Sequence, residues 1–82
     1  MSGMLCKLER FQPYWLLPCS WKEINRYTGK IPFVRRHAKQ DAREMSAKDT
    51  DATFIVTTWN EELKEWVSPQ FFRNGYEVDT LF

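Results

Sequence analysis

The stretch Ala52-Thr53-Phe54-Ile55-Val56-Thr57-Thr58-Trp59 constrains the fold of this chain more than any other segment. β-Branched and aromatic side chains lose rotamer freedom against a helical turn and pack well on a pleated surface, so the run demands a strand. The polar Asn60-Glu61-Glu62 follows, and then Lys64 to Val67, which reads as the return strand of a hairpin. Trp59 and Trp66 would meet across it, in the kind of aromatic cross-strand pair that contributes about 0.2–1 kcal/mol. A helix from Glu61 to Val67 is the competing reading, because good helix formers stand there.

Further strands are expected at both ends. Met4, Cys6 and Leu8 alternate with polar neighbours such as Lys7 and Glu9, which suits a half-buried strand over Met4 to Phe11. Tyr76 to Phe82 reads as a final strand. Between them, Ser68-Pro69 resembles a helix cap and first helical residue, with Phe71 and Phe72 filling a short helical turn near 69–74. Asn74-Gly75 would end that turn, and it serves equally well as a two-residue hairpin connection.

Two other segments carry helical signals. Ser20 and Glu23 have the spacing of a capping box, Cys19 is placed to pack on Ile24 as a staple, and Trp21, Ile24 and Tyr27 recur at helical spacing. With Gly29 where a left-handed C-terminal cap would sit, the spacing predicts a helix over 21–28. A second helix is predicted over about 34–47, ending near Lys48 before the turn Asp49-Thr50-Asp51. Val34, Ala38, Ala42 and Met45 fall within about 80° of arc on its wheel, and Arg35, Arg36, Lys39 and Arg43 occupy a separate arc of about 100°. The expected fold class is α+β: one domain over residues 1–82, with a small antiparallel sheet of three to four strands and two main helices.

Charge is where composition begins to speak about function. The 82 residues hold 12 Lys and Arg against 11 Asp and Glu, a net +1 that indicates no partner by itself. Divided after Lys48, the first part holds ten basic and four acidic residues and the second two and seven, so the balance is +6 against −5. Seven of the basic residues, Lys22, Arg26, Lys30, Arg35, Arg36, Lys39 and Arg43, stand between positions 22 and 43, where Glu23 and Asp41 are the acidic residues. Their summed field has the sign that attracts phosphate or an acidic protein surface. The blander reading of such a run is a solvated face that partly neutralises the acidic C-terminal segment.

Other function classes are disfavoured. A chain this short has little core to spare for a deep cavity, and it carries neither a G-x-x-x-x-G-K nor a G-x-G-x-x-G phosphate loop. Cys6, Cys19 and His37 fall short of a four-ligand zinc site, and no nucleophile has a recognisable base beside it. No catalytic residue, metal, cofactor or small-molecule substrate is therefore expected. The apolar run Tyr14 to Leu17 is too short for a signal peptide, and no stretch approaches the roughly 18–20 apolar residues of a membrane span, which predicts a cytoplasmic protein.

The stretch from Ser20 to Gly29, then Lys30-Ile31-Pro32, then Phe33-Val34-Arg35-Arg36-His37-Ala38-Lys39, resembles the helix-turn-helix of small regulators and phage excisionase-like proteins over about residues 20–43. A hairpin at Phe54 to Val67 would match the wing of the winged version. The resemblance implies DNA binding and transcription regulation. It places Arg35, Arg36, Lys39 and Arg43 toward the major groove and Lys22 and Lys30 near the phosphates, in a domain that dimerises or has a cooperating protein.

A protein-interaction module, an inhibitor or adaptor from a phage or mobile element, is the alternative. Its basic face would dock on an acidic partner, with Trp15, Trp59, Trp66, Phe71 and Phe72 as candidate interface aromatics. Burial of all five would remove its main support.

Overall fold

The computed structural model describes residues 3–12, 20–30 and 33–81. Strands β1 (Gly3–Gln12) and β2 (Ser20–Lys30) precede a helix, α1 (Phe33–Lys48), and strands β3 (Thr53–Asn60), β4 (Glu65–Arg73) and β5 (Tyr76–Val78) follow it. The strands form one five-stranded sheet in the order β2-β1-β3-β4-β5. Every neighbouring pair is antiparallel.

This corrects the expected class in two respects: the sheet has five strands rather than three or four, and the described residues contain a single helix. The segment expected as a helix over 21–28 lies within β2, so there is no pair of helices to form a helix-turn-helix. The helical spacing of Trp21, Ile24 and Tyr27 does not mark one buried stripe, because Trp21 is 55% and Ile24 41% exposed while Tyr27 is buried at 7%. A β-bulge produces the spacing. Leu8 faces Asn25 and Glu9 faces Glu23, which leaves Ile24 as the extra residue and switches the face on which later side chains fall. Ser20 and Glu23 therefore belong to a ladder and not to a capping box, while Cys19 and Trp15 lie outside the described residues. Gly29 takes φ 148° inside β2 rather than capping a helix, and a Cβ there would meet Val34 Cγ2 at 3.1 Å.

The short helical turn near 69–74 is likewise a strand, β4, followed by a tight turn. Asn74 at φ 54° and Gly75 at φ 86° both adopt positive φ, as a two-residue turn between right-twisted strands requires. Ser68-Pro69 forms a second bulge: Val56 faces Gln70 and Thr58 faces Val67, so two residues of β4 oppose Thr57. Proline is tolerated there because the ladder is already broken, and Ser68 takes φ 55°. β3 and β4 form the hairpin, with Trp59 directly opposite Trp66 and their rings 5.3 Å apart, edge to face. The last strand is shorter than the stretch from Tyr76 to Phe82 and ends at Val78.

Helix α1 covers one face of the sheet. Val34, Ala38 and Ala42 pack on Cys6 and Leu8 of β1, Tyr27 of β2, Phe54 and Val56 of β3 and Phe72 of β4. Its fourth buried position is Ser46, with Met45 packed at the margin of the cluster. The alanines let the helix approach the large sheet residues closely; a ring such as Phe72, fully buried, contributes about 1.5–3 kcal/mol by leaving water. Ser46 also docks the β4–β5 turn: its hydroxyl accepts the Gly75 N–H at 2.9 Å and donates to the Arg43 carbonyl at 3.0 Å.

The other face of the sheet carries a layer of rings and charges. Residues alternate across a strand, so Lys7, Glu9 and Phe11 point away from α1, and so do Ile55, Thr57 and Trp59. Lys7 sits 4.4 Å and Arg26 5.4 Å from the Trp66 ring centre. Trp21 stacks edge-on against Phe11 at 4.9 Å and donates its indole N–H to Glu9 at 2.9 Å.

Candidate functional site: the basic flank of the helix

The burial pattern of α1 decides where its charges go. With Val34, Ala38, Ala42 and Ser46 against the sheet, Arg35, Lys39, Arg43 and Arg36 run along one flank, on the side of β4 and β5. These four side chains line a hollow of about 240 Å³.

They are not equivalent. Arg35 is committed to the fold: its guanidinium donates to the Thr58 hydroxyl and, at 3.0 Å, to the Ser68 carbonyl in the bulge. Lys39 lies 3.7 Å from Glu77 of β5. Arg36 and Arg43 are exposed, and no described carboxylate lies within ion-pairing distance of either. Their guanidiniums rest over rings instead, Arg36 at 5.9 Å from Phe33 and Arg43 at 5.6 Å from Phe72. A ring holds such a cation without neutralising it.

The remaining basic residues of the predicted set lie elsewhere. Arg26 and Lys30 line a second hollow of about 430 Å³ on the opposite flank of α1, together with Phe33 and His37. Arg26 donates twice to Glu23, at 2.7 and 3.1 Å, which pulls that carboxyl below its ordinary pKa. Lys22 is exposed on β2 and lines neither hollow. Four of the seven cations thus lie along one flank of α1 and the other three belong to β2, with Arg26 over the Trp66 ring, so the set is not gathered on one face.

On the β2 flank the charges are largely satisfied. Tyr27 donates its hydroxyl to Asp41 at 2.7 Å, and His37 Nε2 stands 3.7 Å from the same carboxylate. Burial, aided by the bond to Asp41, pushes the Tyr27 phenol up to about 12. Asp41 and Glu44 line a smaller hollow beside Met45 and Lys48.

The candidate aromatics separate too. Phe72 is fully buried and belongs to the core. Trp59, Trp66 and Phe71 are half-buried on the face away from the helix, where Trp59 also donates to Glu61 at 2.6 Å. Trp15 lies outside the described residues. The most exposed large apolar side chains are others: Trp21, Ile24, Phe33, Leu63 and Tyr76, spread over β2, α1, the β3–β4 turn and β5.

Sequence reasoning missed the Tyr27–Asp41 bond, which carries no local signal because it joins a strand to a helix across fourteen positions. Among the described residues no three His, Cys, Asp or Glu side chains gather as metal ligands, and no helix is long and apolar enough to cross a membrane. No protein-family model matches the chain, and no curated protein or solved structure is similar to it.

Proposed function

We propose that this is a small non-enzymatic DNA-binding protein that meets duplex phosphates with the basic flank of α1. One observation carries the reading: Arg36 and Arg43 are exposed on the flank that also holds Arg35 and Lys39, with no described carboxylate paired to either. Such cations release counterions when they meet phosphate, and this supplies most of the affinity in non-specific DNA binding. The acidic C-terminal segment reaches the flank at Glu77 and engages Lys39, leaving the two exposed arginines available.

Docking on an acidic protein would use the same cations. It ranks second because interface anchors cluster at the centre of a patch, whereas the five most exposed apolar side chains lie on four separate parts of the molecule.

Fluorescence anisotropy with a labelled duplex across a salt series tests the reading. Affinity should fall steeply with salt, and Arg36→Ala with Arg43→Ala should weaken binding and reduce the log–log salt slope by about 2, roughly 1 per lost phosphate contact. Salt-insensitive binding, or none at low salt, overturns it. Polyglutamate binding as tightly as the duplex would favour the acidic-protein alternative.

A further inference from the structure

Resting on the DNA reading above, we infer that the hollow on the basic flank of α1 holds a phosphate monoester, the 5′-terminal phosphate of a DNA end, so that the protein prefers ends to duplex interior. Arg35, Arg36, Lys39 and Arg43 line one concavity of about 240 Å³. Sites for drug-sized ligands run from about 300 to 1,000 Å³, so this one suits a single compact anionic group.

The four cations divide into a half-buried pair and an exposed pair. Arg35 and Lys39 are half-buried, while Arg36 and Arg43 are exposed. Arg35 uses two of its five N–H donors on Thr58 and the Ser68 carbonyl, which fixes the guanidinium and leaves three donors for a ligand. A cation already ordered by the fold loses little freedom on binding. Lys39 stands 3.7 Å from Glu77, too far for a hydrogen bond.

Charge distinguishes a terminal phosphate from an internal one. No described carboxylate lines the hollow: Asp41 and Glu44 line another, and Glu77 is engaged by the Gln70 amide at 3.0 Å. Four cations against the single carboxylate of Glu77 leave a surplus of three positive charges. An internal diester brings one negative charge, whereas a monoester brings about 1.5–2 charges and three acceptor oxygens. With the diester that follows it, a 5′-terminal phosphate comes to about 2.5–3 charges, close to that surplus. It also projects from the DNA end and can enter a hollow, while internal diesters lie flush between sugars.

Fluorescence anisotropy with three forms of one labelled sequence tests the inference: a linear duplex with 5′-phosphates, the same duplex with 5′-hydroxyls, and a covalently closed duplex without ends. The wild type should bind the phosphorylated form about 10- to 100-fold more tightly than the other two, the range that hydrogen bonds to charged groups supply. Arg36→Ala with Arg43→Ala should bring that ratio to within about 3-fold, with an unchanged circular dichroism spectrum confirming the fold. Salt-sensitive binding with equal affinity for all three forms overturns the inference and leaves the DNA reading standing. Calorimetry with inorganic phosphate separates the sources of the group: phosphate binding without a preference for the phosphorylated duplex means that the hollow takes the free anion, and it overturns the inference too. Absence of salt-sensitive binding to every form overturns both.

Discussion

The two flanks of α1 are built from the same sixteen residues and behave differently. On the β4–β5 flank one arginine is bonded into the hairpin bulge, a lysine leans on Glu77, and two arginines remain without a described carboxylate. On the β2 flank Asp41 accepts the Tyr27 hydroxyl and stands close to His37, so charge there is spent within the molecule. Charge along a helix becomes a binding surface only on the side where the fold leaves it unanswered.

That contrast can be broken most forcefully at Arg35. Arg35→Ala should destabilise the fold by about 2 kcal/mol, since it removes charged hydrogen bonds to Thr58 and to the Ser68 carbonyl. Arg36→Ala should change stability by less than about 0.5 kcal/mol in the same urea titration. Equal losses for the two would mean that the flank is not divided into fixed and free cations.

A smaller effect is expected on the opposite flank. Tyr27→Phe deletes the bond to Asp41 and should cost about 1 kcal/mol at neutral pH. The phenol is raised from 10.0 to about 12 in the folded state. Its contribution is therefore complete below pH 10 and lost as pH rises toward about 12, because the unfolded chain ionises first. Phenolate absorbance should rise late in alkali, and Tyr27→Phe should flatten stability over that interval.

The smallest effect concerns the turn after the helix. Arg10 donates to Asp49 at 2.6 Å and holds its carboxyl below the ordinary 3.8. Stability from this pair is present above that value and lost as pH falls through the depressed one. Asp49 is 38% exposed, so Asp49→Asn should lower stability at neutral pH by at most about 1 kcal/mol and weaken the acid dependence of unfolding.

Particular residues show what could be read in advance. The hairpin around Trp59 and Trp66, the alternation of Met4, Cys6 and Leu8, and the helix beginning at Val34 each follow from side chains close together in sequence. Trp21, Ile24 and Tyr27 misled because a bulge at Ile24 gave a strand the spacing of a helix. Phe71 and Phe72 were equally deceptive: next to each other in β4 they point to opposite faces, and Phe72 enters the core. At the candidate site, the separation of Arg35, Arg36, Lys39 and Arg43 from the apolar stripe was visible on the wheel. The pinning of Arg35 was not, because the Ser68 carbonyl it binds lies in a bulge 33 positions away.

The sequence by itself determined that the run from Ala52 to Trp59 forms a strand, that a helix spans about residues 34–47, and that four cations avoid the buried side of that helix; the structure sets the bounds at Thr53–Asn60 and Phe33–Lys48. These are local consequences of rotamer restriction and periodicity. Only the tertiary structure decided that residues 20–30 join the sheet beside β1, and which cations stay free. Both outcomes depend on groups distant along the chain: a ladder is completed only by the edge it meets, and a guanidinium is neutralised only by the carboxylate the fold brings to it.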